Sequence, residues 1–293
     1  MKKSTRHHYI PQFYAKGFTD KDGLFYVYDK QKNEIIKTKR SPKSVFYGID
    51  KYTIRTEDGE STILEDKLYS DLDNKCATAI RNFRDLDNTE DLHSNDNVAF
   101  IRFFVVNLVW RIPANDGMYD EYYNRIDIVF EDGNGNVTRN PENEAQLKSS
   151  DDYKKMVRFI VPINMIMEVS KERSGGQSYS ALIDKKYPFF LLTDNPIVFK
   201  KTPKTIKELV QSEFLLPLSY NRIYSTEENA NLDFTPEKAA AFNMLQILQA
   251  KHYVCSPDLE VLKSYVNLYK VTTLMPQRFI DLHNILFNQP IEK

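Results

Sequence analysis

Cysteine is nearly absent, with Cys76 and Cys255 the only two in 293 residues, far apart and without paired spacing. That excludes a disulfide-stapled scaffold and a Cys-x-x-Cys site, fits a reducing compartment, and predicts two small buried apolar side chains. Glycine is scarce as well, nine in all. None of them forms a Walker-type phosphate loop, a Gly-x-Gly-x-x-Gly turn or a Gly-x-Ser-x-Gly elbow, and His-Glu-x-x-His is missing too, so the common nucleotide-cofactor, serine-hydrolase and zinc-protease readings fall away. Long hydrophobic runs are lacking. The longest, residues 98–110, is interrupted by Arg102 and Asn107 and is too short to cross a bilayer. The basic opening runs into two histidines and a proline with no apolar stretch behind it, so no signal peptide and no membrane partner are expected, and a cytoplasmic location is. Charge of one sign is lacking: 40 Lys and Arg face 41 Asp and Glu. Strong binding of duplex DNA is therefore not expected.

What is present is apolar bulk, 41% of residues, including 18 Tyr and 18 Phe, enough for one large core. Pro11 and Gly17 bracket a short helix over 11–16, with Gly17 read as a left-handed terminator. Runs over 24–28 and 34–39 read as a hairpin, Ser41-Pro42 starts a short helix over 43–47, and 51–55 reads as a strand. From 61 to 86, apolar residues recur at threes and fours, which predicts an amphipathic helix. A second helix, about 94–112, is apolar on most sides and should be central. Helices follow over 119–130 and 151–171, separated by a polar stretch, 131–150, that reads as a mobile loop or insertion boundary. The character changes near 173–177. Short strands are then expected over 179–183, 189–192, 197–200, 214–216 and 221–225, then a helix over 236–249, a strand over 252–255 and a helix over 257–269. The fold class is α+β: a helix-rich single domain with a small N-terminal strand element and a C-terminal antiparallel or mixed sheet.

Chemistry is concentrated in few places. His7 and His8 are adjacent, and on an extended segment only one of them can face a given site while the other packs beneath it. A neutral imidazole can serve as a general base or a metal ligand. Thr193-Asp194-Asn195-Pro196 follows an apolar strand, a favoured place for a carboxylate and a carboxamide that act on a ligand, though also for a turn that caps its own backbone. On the apolar central helix, Arg102 and Arg111 must find carboxylates, carbonyls or an anionic ligand, and Asn107 shares a face with Arg111. Glu65, Asp66 and Asp73 on the preceding helix are the plain partners, and a substrate phosphate is the sharper one. Asn243 and Gln246 face one way on an apolar helix, where they bond to backbone groups or line the site. His252 reads as a strand-end surface histidine, and the basic runs 30–43 and 200–207 as solvated faces.

The opening His7-His8-Tyr9-Ile10-Pro11-Gln12-Phe13-Tyr14 with Gly17-Phe18, then Tyr26-Val27-Tyr28-Asp29, Pro42-Lys43-Ser44-Val45, Glu65 with Leu68 and Asp73, Arg111-Ile112-Pro113 and the 193–196 turn, resembles a bacterial family known as domain of unknown function 4238. The resemblance implies a single family domain over nearly the whole chain, 1–293, and brings no established activity. Ala15 stands where the family often has Leu, and Asp73 where Glu is common.

Together the residues predict a hydrolase of phosphodiester or other phosphorylated substrates, including a nuclease. His7 or His8 would be base or metal ligand, Asp194 would orient that imidazole or share the metal, and Arg111 or Arg102 would stabilise negative charge. Asn107, Asn195, Asn243 and Gln246 would bind substrate. The cofactor stays open, a divalent metal being one that this set admits, and the partner would be a phosphorylated small molecule or a nucleic acid. The alternative is a non-catalytic binding or regulatory module in which the same residues form a structural polar network. The enzyme reading requires the leader to fold back toward Asp194.

Overall fold

The helix expected at the centre of the molecule runs Asn95–Arg111, and its side chains from Phe104 to Arg111 are buried with the exception of none. A helix apolar on most sides has no face to offer water, so the other elements wrap around it. In this computed structural model the described residues are 5–56, 59–85, 95–131, 133–172, 179–182, 190–226, 234–272 and 277–287. The amphipathic helix before it, Ser70–Asp85, packs along it and buries Cys76, Ala79, Ile80 and Phe83. That helix does not start as an α-helix. Leu64–Tyr69 forms a π-helical turn, a local widening that sequence periodicity does not reveal and that recurs at functional sites in other proteins.

The leader is pinned by pairing and by side-chain bonds. Arg6–His8 is a strand antiparallel to Tyr47–Ile49. The helix Gln12–Ala15 and the tighter turn Lys16–Phe18 follow, and Tyr14 donates its hydroxyl to the carbonyl of Pro217 at 2.6 Å. Gly17 is not the left-handed terminator that was expected, since its backbone is not among those with positive φ. Its role is close approach. A β-carbon there would lie 2.6 Å from the carbonyl oxygen of Leu218, and Gly17 accepts the N–H of Tyr220 at 3.1 Å. Gly17→Ala is therefore expected to cost about 1–3 kcal/mol, the usual range for forced overpacking, measured by urea unfolding.

Among the described strands every pairing is antiparallel. One four-stranded sheet has the order Leu192–Thr193, Tyr253–Ser256, Tyr26–Asp29, Glu34–Ile35. The expected N-terminal hairpin and the expected C-terminal strands thus form a single sheet, joined where Tyr253 faces Asp29. The other four-stranded sheet orders Val198–Phe199, Phe214–Ser219, Arg222–Ser225 and Tyr179–Leu182. Its two inner strands, Phe214–Ser219 and Arg222–Ser225, are buried along their whole length.

The described residues of the polar stretch 131–150, read from sequence as a mobile loop or an insertion boundary, carry regular secondary structure. The stretch holds a hairpin pairing Phe130–Glu131 with Val137–Thr138 and a helix, Pro141–Ser149, whose Asn140 cap accepts the N–H of Asn143. The long helix Asp151–Glu172 carries Pro162 within it. The change of character expected near 173–177 lies outside the described residues, as does part of the strand expected over 189–192. The helix Ile206–Gln211 and the C-terminal helix Arg278–Leu286 had not been expected. The latter packs on the helix Pro236–Gln249. No helix among the described residues is long and apolar enough to cross a membrane.

Candidate functional site

The alternation expected of the two histidines is realised. His7 is fully buried, its Nδ1 accepting the N–H of Tyr52 at 2.8 Å and its ring stacked parallel to that of Tyr52. His8, on the other side of the strand, lines a cleft of about 680 Å³ together with Arg6, Gln12, Lys43, Glu65 and Asp73. Both imidazole nitrogens of His8 have a partner. Nε2 lies 3.2 Å from the carbonyl oxygen of Lys43, which fixes the proton on that nitrogen because a carbonyl can only accept. Nδ1 is then the lone-pair nitrogen, and it receives a long 3.4 Å bond from the side chain of Gln12, an exposed residue. Burial lowers the His8 pKa, opposed by the Lys43 bond and aided by the nearby Arg111 charge. Burial thus favours the neutral imidazole, oriented by the bond at Nε2 and with its Nδ1 lone pair turned toward Gln12.

Across the cleft, the π-helical turn presents Glu65. Its Oε1 accepts the backbone N–H of His8 at 3.4 Å, while Oε2 is buried without a hydrogen-bond partner among the described residues. Burial pushes the Glu65 carboxyl up to about 7, against the attraction of Arg111. Asp73, two helical turns on, is also raised by burial. From the sequence Glu65 is a plain partner for a buried arginine and part of the pattern that carries the family resemblance, with no chemical role assigned. The signal for more was its spacing from Asp73 beside a lone buried arginine.

Arg111 sits beneath these groups, 3% exposed. One guanidinium nitrogen donates to Asp73 at 2.7 Å, the other to the carbonyl of His8 at 2.6 Å, and the plane lies 4.5 Å over the ring of Tyr69. Arg111 is a tie between the central helix, the acidic helix and the leader strand. Lys51 caps the same helix end, donating to the carbonyl of Arg111 at 2.9 Å.

Asp194 is placed elsewhere. Its two carboxylate oxygens accept the backbone N–H groups of Lys251 at 2.9 Å and His252 at 2.6 Å, and it is not among the residues lining the cleft. The leader does approach this region through aromatic contacts, Tyr9 on Phe46 and Phe46 on Tyr253, and Asp194 donates its own N–H to the carbonyl of Tyr253. Neither imidazole is the partner of its carboxylate. Burial raises the Asp194 carboxyl above its usual value, offset in part by the two amides. The arrangement closes the turn after the helix Pro236–Gln249, at whose end the carbonyls of Ile247 and of the following Ala250 accept from Lys30 at 2.6 Å each. Asp194→Ala would strand two amides and is expected to cost about 2–4 kcal/mol, with Asp194→Asn milder because it keeps one acceptor, as read by urea unfolding.

The remaining candidates divide in the same way. Asn243, fully buried, accepts the N–H of Leu191 at 3.0 Å, and Gln246 donates to the carbonyl of Pro196 at 2.7 Å. Asn107 donates to the carbonyl of Phe103 one turn back. The guanidinium of half-buried Arg102 lies 5.9 Å from the centre of the Phe214 ring. Asn195 lines a different cavity. Among the described residues no three His, Cys, Asp or Glu side chains come together to hold a metal ion.

Residues 6–258, most of the chain, match the family described as "Protein of unknown function (DUF4238)". The chain belongs to this family. No curated protein and no solved structure matches it. The matched span of the DUF4238 chain includes the leader strand, the π-helical turn, Arg111 and the 193–196 turn, so cleft and core tie are both parts of the family domain.

Proposed function

We propose that the cleft is the reactive centre of a hydrolase acting on phosphodiester or other phosphorylated substrates, with His8 as general base and Glu65 as general acid. The observation that carries this reading is the His8 imidazole, anchored through Nε2 to the Lys43 carbonyl and open through Nδ1 once the exposed Gln12 swings aside. Water positioned at Nδ1 loses its proton to the imidazole as its oxygen attacks phosphorus. Glu65, protonated near neutral pH by its burial, gives its proton to the departing oxygen as the P–O bond breaks. Arg6 and Lys43, both at the cleft, are the cations suited to the phosphoryl oxygens. Arg111 positions the strand that carries His8 and contacts no substrate. A structural network is the better account of His7, Arg111, Asp194 and Asn243, which do not line the cleft; His8 and Glu65 also bond to the chain but do line it.

The test is hydrolysis by the purified protein of a simple aryl phosphodiester and of single-stranded and duplex nucleic acids, with and without divalent metal ions. A metal ion, where one is needed, would polarise the phosphoryl group, and the assay reads that dependence directly. The pH profile is specific. Activity should rise as His8 loses its proton below pH 6.5 and fall as Glu65 ionises around pH 7, giving a narrow bell. Glu65→Gln should lower the rate and abolish the alkaline limb. Stability has its own signature: a carboxyl whose folded pKa is raised favours the folded state below its unfolded pKa and loses that contribution as pH climbs through about 7. Glu65→Gln should flatten this decline. Absence of hydrolysis on every substrate, or a profile that ignores Glu65→Gln, would remove the proposal.

A further inference from the structure

The 193–196 turn leaves Asn195 unused by the cleft, and Asn195 lines a second concavity of about 440 Å³ on another part of the surface. Its walls are apolar, built by Val109, Met118, Ile197, Phe199, Leu245 and Ile280. Several polar groups of its lining are pinned within the fold. Gln249 donates to the carbonyls of Asn195 and Ile197 at 2.7 Å each, Asn115 to that of Val109 at 2.9 Å, and His283 lies 3.1 Å from that of Phe199. Lys200, its one lysine, is paired with Glu213 at 2.8 Å. Among the described residues three polar side chains of the lining are left over: the carboxamides of Asn195 and Asn284 and the hydroxyl of Thr202 are engaged by no hydrogen bond of the fold, and Asn284 is only 9% exposed.

A carboxamide that lines a cavity and is engaged by no other group of the fold offers a donor and an acceptor side by side to whatever enters. An apolar slot of this size with two such groups at its wall matches the usual make-up of a small-molecule site. No carboxylate lines it and its lysine is neutralised, so a charged ligand would find no counter-ion. We propose that this cavity binds a neutral, planar heteroaromatic ring bearing a donor and an acceptor on one edge, of the chemical type of a nucleobase or nicotinamide. The ring lies between Met118, Phe199 and Ile280, whose side chains suit a flat apolar face, and its polar edge meets Asn195 and Asn284.

The probes are adenine and nicotinamide at millimolar concentration, with toluene and benzoate as controls, and the readout is the ¹³C-methyl signal of Met118. Adenine or nicotinamide should shift that signal saturably, and Asn195→Ala and Asn284→Ala should each weaken binding about three- to tenfold, the effect of losing one hydrogen bond. Ile280→Trp, a change at an exposed position on the wall, should block binding while leaving the melting temperature unchanged. His8→Ala should bind the ring as the unaltered protein does, so failure here is separate from failure of the cleft as an active site. Toluene binding as tightly as the heterocycles with both Asn variants unaffected would overturn the proposal, and so would no shift with either probe.

Discussion

His8→Ala should lower turnover on a phosphodiester about 10²–10⁴-fold, the range in which a positioned base acts, with little change in the apparent affinity for substrate. The fold is expected to survive, because the backbone of residue 8 still donates to Glu65 and accepts from Arg111. Unchanged near-ultraviolet circular dichroism together with lost activity would separate chemistry from folding. Gln12→Ala supplies the opposite control. It frees Nδ1 without touching the imidazole, so the rate should hold or rise. A His8→Ala protein that turns over substrate at the unaltered rate would show that the base lies elsewhere.

The second large effect falls on stability. Arg111→Met would leave the Asp73 carboxylate and the His8 carbonyl without their donor at the junction of three elements, and removing one partner of a buried pair costs about 3–5 kcal/mol. Urea unfolding would read this as a lower midpoint at unchanged slope. Combining Arg111→Met with Asp73→Leu should recover part of the loss, because the uncompensated carboxylate is then gone. Arg111→Lys should not rescue fully, since one ammonium cannot span both acceptors and cover the Tyr69 ring as the flat guanidinium does. If Arg111→Met melts with the unaltered protein, the tie described above contributes nothing.

Much of this architecture is legible in residue order where one rule dominates. The central helix was expected over 94–112 and runs Asn95–Arg111, and the helix expected over 236–249 is Pro236–Gln249, because apolar content, caps and proline agree there. The leader was legible through His7 and His8, whose opposite facing follows from strand geometry alone. Arg111 was legible as a charge in need of acidic partners, and Asp73 supplies one. Long-range pairing was not. Nothing near residue 26 announces that its strand partners residues 253–256, and nothing in Asp194 says that its carboxylate will be consumed by Lys251 and His252. The π-helical turn at Leu64–Tyr69 also escapes periodicity, and with it went the chance of seeing Glu65 as more than a salt-bridge partner. In the polar stretch 131–150 composition hid the secondary structure, since a capped helix and a hairpin need few apolar residues when they lie at the surface.

The sheet that joins Tyr26–Asp29 to Tyr253–Ser256 carries a consequence for biosynthesis. On the ribosome, an edge made early stays open until more than two hundred further residues have emerged, since the strand that saturates it is Tyr253–Ser256. Such distant closure slows folding and leaves a sticky β-edge waiting, so the nascent polypeptide should lean on holding chaperones, and a chain cut before Tyr253 should fold badly.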